Sequence, residues 1–170
     1  MSSSYGQTSV ALVSDSTGKP FECLIPGPPI GKGRPRGTSI GGHVRLYTPQ
    51  KTADWERAAA LLMRQAWRQA PCEEMVDVEI VAVFHRPKRL LRKKDPECRI
   101  WHGSKPDIDN VEKCVLDAMV MAGVIRDDSQ VVSIRAISVY ASKSEGPGLH
   151  VRMRVVGERP TWVDGWPCWI

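Results

Sequence analysis

Alternating and clustered apolar residues predict strands in the middle and near the end of the chain. Residues 76–80 alternate between apolar and acidic side chains and continue into an apolar run to residue 84, which is typical of a strand that enters a sheet interior. Residues 149–156 also alternate, with Arg152 and Arg154 on the polar side. Residues 108–122 instead repeat apolar positions at helical spacing, and Gly123 follows as a suitable helix end.

Further elements complete a single domain. We expect further strands at 21–25, 44–47 and 130–141. Residues 142–148 are expected to join the strand at 130–141 to the strand at 149–156 as a hairpin loop, and residues 30–43 are expected to form a Gly-rich loop. A helix is expected to open at Thr48-Pro49, with its core face formed by Trp55, Ala58, Ala59, Leu62 and Ala66. The pattern predicts an α+β fold over residues 21–156, with a mixed, mostly antiparallel sheet and two main helices. Residues 1–20 are interpreted as a flexible leader and residues 157–170 as a Trp-rich tail.

Composition excludes several classes of protein. The 170 residues are 42% hydrophobic and 25% charged, and no apolar run is long enough to span a bilayer, so we expect no membrane association. The Ser-rich start has no cationic segment followed by an apolar one, which favours a cytoplasmic location. Five scattered cysteines without a C-x-x-C pair indicate reduced thiols. The chain has no P-loop motif, and we expect no nucleotide cofactor.

Charge is strongly segregated along the chain. Residues 86–105 contain eight basic and two acidic residues, a net charge of +6, whereas residues 107–128 carry six acidic and two basic residues, a net charge of −4. Basic side chains bind a polyanion, but clustered aspartates repel one unless a divalent metal neutralises them. This juxtaposition favours a metal-dependent site that acts on phosphodiesters.

Two basic segments are the candidate DNA contacts. Residues 86–105 contain two prolines and no apolar period, which predicts a mobile loop. Residues 30–43 are Gly-rich and basic, which is typical of a loop that binds phosphates. The candidate DNA-binding residues are Lys32, Arg34, Arg36, Arg86, Lys88, Arg89, Arg92, Lys93, Lys94 and Lys105.

The acidic segment holds the candidate catalytic groups. Asp107 and Asp109 stand two residues apart at the start of the second helix, so both carboxylates can converge on one hard cation such as Mg²⁺ near the positive end of the helix dipole. Asp109 and Glu112 also fit a capping box. Lys113 follows one turn later, and the turn after the helix returns Asp127 and Asp128. Each feature has a plainer interpretation, since Asp109 could only cap the helix, Lys113 and Asp117 could only pair, and residues 127–129 could only form a turn.

These residues also form a specific motif. Residues 105–113 read Lys-Pro-Asp-Ile-Asp-Asn-Val-Glu-Lys, followed by Leu-Asp-Ala at 116–118 and Asp-Asp-Ser-Gln-Val at 127–131. Two flanking runs accompany this motif, Ile-Pro-Gly-Pro-Pro at 25–29 and Tyr-Thr-Pro at 47–49. In these stretches the sequence resembles the RusA family of Holliday junction resolvases. The resemblance covers roughly residues 21–156, and its central part is the most specific.

The resemblance implies a RusA-like α+β fold and an enzyme that cuts DNA. It implies that Asp107, Asp109 and Asp128 are catalytic metal ligands for Mg²⁺ or Mn²⁺ and that Lys113 is the essential basic residue; the role of Asp127 stays open. It further implies a homodimer that binds branched DNA and resolves four-way junctions by paired symmetric nicks, in recombination and repair. The basic segment at 86–105 and the Trp-rich tail depart from the family pattern. A non-catalytic DNA-binding protein on the same fold, or an endonuclease that prefers flaps or forks, is the alternative.

Overall fold

A computed structural model describes residues 20–34, 36–40 and 43–156. Nearly all of the expected leader and the whole expected tail lie outside this part of the chain. A five-stranded sheet has the strand order β1-β7-β4-β6-β5, and β2 and β3 form a separate antiparallel pair. The strands and helices are β1 (Phe21–Pro26), β2 (Arg36–Ile40), β3 (His43–Tyr47), α1 (Gln50–Trp67), β4 (Val76–Phe84), β5 (Ile100–Trp101), α2 (Ile108–Ala122), β6 (Val131–Tyr140) and β7 (Gly148–Val155).

The mixed sheet and two helices confirm the predicted α+β fold. β4 pairs in parallel with β6 and antiparallel with β7, and the β1–β7 and β5–β6 pairs are antiparallel. One face of the sheet packs against the helices and forms the core, in which Val78, Ile80 and Val151 are buried. No helix in the described part of the chain is long and apolar enough to cross a membrane.

The polar face of the sheet is covered by ion pairs. Arg152 and Arg154 point away from the core, as their alternation predicts. Arg152 bonds Glu22 at 2.7 Å, and Arg154 bonds Asp77 at 3.2 Å and Glu79 at 2.5 Å. The charged side chains on this face therefore pair with one another across neighbouring strands.

The last two long strands do not form the predicted hairpin. β4 lies between β6 and β7, and residues 141–147 cross from one side of β4 to the other. The parallel β4–β6 pair needs a long connection, which residues 85–130 with α2 provide. The prediction of a loop over residues 30–43 is also corrected, since residues 36–40 form β2. Both errors concern strand pairing, which periodicity within one strand does not encode.

The second helix agrees with the sequence better than the first. α2 begins and ends where its spacing predicts, and Gly123 follows it in the left-handed region at φ 68°. The buried face of α1 is rotated from the expected one, because Ala58 and Ala66 are exposed. The buried residues of α1 are Thr52, Glu56, Ala59, Ala60 and Met63.

Candidate active site

Asp107 and Asp109 lie together at the N-terminal end of α2. Asp107 is the N-cap residue, in extended geometry with φ −68° and ψ 146°, and its carbonyl accepts bonds from the amides of Asn110 at 3.1 Å and Val111 at 3.3 Å. This corrects the expected capping box, which would start at Asp109. The Asp107 carboxylate makes no capping bond to the helix, and both aspartates are exposed. The helix dipole favours negative charge at this end.

Lys113 accompanies this pair on the exposed side of α2. Its Nζ lies 3.2 Å from Oδ2 of Asp109, one helical turn away. Glu112 lies beside them, and its pKa is raised by burial and by the negative charge of Asp109, against the opposite effect of Lys113. A cation or a phosphate that approaches the aspartates therefore also meets the Lys113 ammonium.

Lys32 bonds α2 near the same end through its backbone amide, and its ammonium joins α2 to α1; these contacts together form the Lys32 clamp. The Lys32 amide donates to the Asn110 carbonyl at 2.7 Å, and its ammonium bonds Glu56 at 2.8 Å and also Asp117. Burial lowers the pKa of Lys32, but the bonds and charges of the two carboxylates outweigh this effect and raise it. Lys32 is partly exposed and its ammonium is already paired with two carboxylates, so its contact with DNA stays a prediction. The sequence signal that was missed is Glu56, an acidic residue at a buried helical position.

Gly31 allows this clamp to close. A Cβ atom at Gly31 would lie 2.7 Å from Cβ of Pro106 and 3.2 Å from Cβ of Asn110. Any side chain here would push the Gly-rich loop away from the turn that carries Asp107. The glycine therefore helps to hold the aspartate turn in place.

Asp127 and Asp128 follow the opposite end of α2. The Asp127 carboxylate accepts a bond from the Ser129 amide at 2.9 Å, and the Gln130 side chain accepts from the Asp127 amide at 3.0 Å, which completes a capping box. Gln130 also donates to the carbonyls of Cys72 at 2.9 Å and Glu74 at 3.0 Å. The bonds from Ser129 lower the pKa of Asp127. Asp127 thus acts as a structural cap for the turn, while Asp128 is exposed.

One chain does not bring the three predicted ligands together. α2 has 15 residues, so its two ends are about 22 Å apart. Among the described residues, no group of three or more His, Cys, Asp or Glu side chains is arranged to hold a metal ion. The donor set at the N-terminal end still fits Mg²⁺, which is often bound by only one or two carboxylates with water and phosphate oxygens. The assignment of Asp128 as a third ligand stays a prediction.

A cavity of about 620 Å³ adjoins Asp107. It lies between residues 101–108 and the edge of β6 at residues 136–138. His102 stacks on Phe84 with 3.9 Å between ring centroids, and its ring nitrogens bond the hydroxyls of Ser138 at 2.7 Å and Ser104 at 3.1 Å. Burial lowers the pKa of His102. Sequence patterns did not predict this cavity, because its walls come from segments about 30 residues apart.

Arg86 is the one buried residue among the candidate DNA contacts whose side chains the structure describes, and its contact with DNA stays a prediction. Its guanidinium is buried and donates to the carbonyls of Ala141 at 2.8 Å, Pro96 at 2.6 Å and Cys98. These bonds fix the start of the basic segment to the sheet. The segment is accordingly structured, with a 3₁₀ turn at Lys88–Leu90 and the strand β5.

The other basic residues of this segment face solvent. Arg99 bonds Glu145, and Arg92 lies 3.3 Å from Asp95, so part of their charge is compensated. Arg34 is exposed, whereas the Arg36 side chain lies outside the described part of the structure. The exposed candidates in and next to the basic segment are Lys88, Arg89, Arg92, Lys93, Lys94 and Lys105. Their contacts with DNA stay a prediction.

The chain is similar in sequence to known proteins. The family model described as endodeoxyribonuclease RusA matches residues 26–154. A Bacillus subtilis (strain 168) protein, named uncharacterized protein YqaN, is 30% identical over 144 residues, which cover 80% of this chain and 99% of that protein. The crossover junction endodeoxyribonuclease RusA of Aquifex aeolicus (strain VF5) is 24% identical over 108 residues, which cover 64% of this chain and 73% of that protein.

Proposed function

Because the chain belongs to the RusA endodeoxyribonuclease family, we propose that it is a Mg²⁺-dependent, structure-specific endonuclease that resolves four-way DNA junctions by paired symmetric nicks, in recombination and repair. The observation that carries this proposal is the exposed pair Asp107 and Asp109 at the positive end of α2, beside a cavity and next to an exposed cationic segment. Two carboxylates and a neighbouring ammonium suit hydrolysis of a phosphodiester.

Each residue at this end of α2 has a role in the proposed reaction. Asp107 and Asp109 would hold Mg²⁺, or Mn²⁺ in its place. A bound ion would supply Lewis-acid chemistry, which would polarise the phosphate and favour attack by water. Lys113 would offset the negative charge that develops on the phosphate, since its ammonium already lies beside Asp109. In-line attack by water would form a new P–O bond while the bond to the 3′ oxygen breaks, and the proton lost by water would balance the one gained by the 3′ hydroxyl, leaving a 5′ phosphate.

A second copy of the chain would supply the third carboxylate. The edge of β6 over residues 131–137 has no neighbouring strand in the described part of the chain, since β5 pairs only with Val139 and Tyr140. Val132 and Ile134 on this strand are 55% and 39% exposed. A two-fold axis near Ile134 would run the two β6 edges antiparallel and bring the start of the partner's β6 opposite Ile137, which lines the cavity, with the partner's Asp128 in the turn just before that strand.

The homodimer would therefore be part of the catalytic machinery. Each of its two sites would combine Asp107 and Asp109 of one copy with the third carboxylate of the other copy. Two such sites related by a two-fold axis would match the two opposed strands of a symmetric four-way junction. Arg34, with the exposed residues Lys88, Arg89, Arg92, Lys93, Lys94 and Lys105, would hold the phosphates of the junction arms.

A cleavage assay on a synthetic four-way junction, with and without Mg²⁺, tests the proposal. Asp107→Asn should bind the junction at least as tightly as wild type, because one repulsive charge is gone, and should cut it at least about 1,000-fold more slowly. The control Asp54→Asn changes an exposed aspartate of α1 and should cut normally. Equal cutting by wild type and Asp107→Asn would contradict the assignment.

The same assay separates the alternatives. Competition among four-way junctions, flaps, forks and linear duplex should show preferred cutting of the four-way junction. Faster cutting of flaps or forks would overturn the junction preference but keep the nuclease. Binding without cutting of any branched DNA would favour a non-catalytic DNA-binding protein.

A further inference from the structure

Trp101 is unusually exposed for its size. It lies in the two-residue strand β5 and is 76% accessible to solvent. A large aromatic surface left in water is unfavourable by itself, so its position calls for a ligand that covers it. Trp101 lines the same cavity as Asp107.

The cavity beside Trp101 has the size and stiffness of a ligand site. Its volume of about 620 Å³ lies within the usual range for small-molecule pockets. One wall is fixed by His102, which stacks on Phe84 and bonds two hydroxyls, and by a bond of 3.0 Å between Ser104 and Tyr140. This wall is therefore held in place before a ligand enters.

The chemistry of the lining suits a nucleotide. Trp101 offers an aromatic surface for stacking, and Lys105, also in the lining, is an exposed cation that can meet a phosphate. Gly103, also in the lining, borders open space, since a Cβ atom there would meet no atom within 4 Å. A planar base joined to an anionic backbone satisfies both the aromatic and the cationic group.

We propose that this cavity is a nucleobase pocket in which Trp101 stacks on an unpaired base next to the phosphate that is cut. The inference rests on the proposed function, because Asp107 in the same lining would mark the position of that phosphate. Bases at a branch point are easier to unstack than those inside a duplex, so such a pocket would favour branched DNA. Trp101 is then a specificity-determining residue and not a metal ligand.

The test uses junctions that carry the fluorescent base 2-aminopurine. The cut position is first mapped with the wild-type protein and Mg²⁺. Binding is then measured in the Asp107→Asn background, in which the DNA stays intact, with 2-aminopurine at each position that flanks the cut. Stacking on Trp101 should change the fluorescence at one of these positions and leave the others unchanged.

Three substitutions at exposed positions resolve the role of the indole. In the same background, Trp101→Ala should abolish the fluorescence change and weaken junction binding roughly tenfold, which is the scale of one stacked base. Trp101→Phe should keep most of both effects. The control Leu91→Ala changes another exposed apolar residue of the basic segment and should behave like its parent.

The possible failures are distinguishable. A wild-type protein that cuts no junction would overturn the proposed function and this inference with it. Normal cutting, with fluorescence and binding that ignore Trp101→Ala, would overturn only the pocket. A loss of dimer mass in Trp101→Ala would also overturn it, because the indole would then cover a subunit contact.

Discussion

The two ends of α2 carry acidic residues that the fold uses in different ways. At the N-terminal end, Asp107 and Asp109 are exposed beside a cavity, and the clamp made by Lys32 holds the turn from behind. Beyond the C-terminal end, the Asp127 carboxylate forms part of a capping box, and Gln130 bonds the same turn to the carbonyls of Cys72 and Glu74. Acidic residues that are close in sequence are thus divided between a candidate reactive end and a structural end.

The helix dipole makes the two ends of α2 different environments for a carboxylate. Carboxylates are stabilised near the positive N-terminal end of a helix and are disfavoured near its C-terminal end. In an antiparallel dimer, the acidic turn after α2 of one copy would lie beside the positive end of α2 in its partner. Asp128 would gain a cation site that its own chain does not offer, and both ends would become parts of one centre.

The largest effect is expected from a charge at the open edge of β6. Ile134→Lys should prevent the two edges from pairing, because two lysines would meet at the two-fold axis. We expect the mass in solution to halve and junction cutting to fall at least about 100-fold, as measured by light scattering and a cleavage assay. Leu24→Lys, at an exposed position of the opposite edge strand β1, should change neither. A dimeric and active Ile134→Lys protein would contradict the proposed arrangement.

A smaller effect is expected from loss of the Lys32 clamp. Lys32→Met would leave the buried carboxylate of Glu56 without its cation, and we expect the free energy of unfolding to fall by about 2 kcal/mol, less than for a fully buried pair because Lys32 and Asp117 are partly exposed. Urea unfolding measures this change. Adding Glu56→Gln should restore part of the stability. A loss below about 0.5 kcal/mol would show that the clamp is weak.

The smallest effect is expected at the ion pair that fastens the basic segment. Bonds from Arg99 lower the pKa of Glu145 from its usual 4.5 to about 2. The stabilisation is therefore fully present above pH 4.5 and is lost as the pH falls toward 2. Glu145→Gln should lower the free energy of unfolding at pH 7 by about 1 kcal/mol or less, since the pair is partly exposed. The difference between the two proteins should shrink near pH 2, and a constant difference would contradict this cause.

Local patterns predicted the elements at both ends of α2 but not how they are used. The helix, its final glycine and the alternating strands follow from spacing within one segment, and the structure confirms them. The roles of Lys32 and Arg86 depend on residues that are distant in sequence, such as Glu56 and the Ala141 carbonyl. A cationic run looks the same whether a basic side chain faces solvent or binds carbonyls inside the protein.

The acidic cluster shows the same limit in another form. The motif correctly joins Asp107 and Asp109 at one helix end, because they are two residues apart. It could not reveal that α2 itself separates them from Asp128. That separation follows from the 15-residue helix between the two motifs.

Mixing two inactive variants tests the shared site most directly. Asp107→Asn and Asp128→Asn should each fail to cut a four-way junction when present alone. After mixing and subunit exchange, a heterodimer would hold one site with unchanged Asp107 and Asp128 from different copies, and we expect nicking of one strand to return. If exchange is demonstrated and no nicking returns, the two aspartates do not act across the dimer, and the account of a shared centre is contradicted.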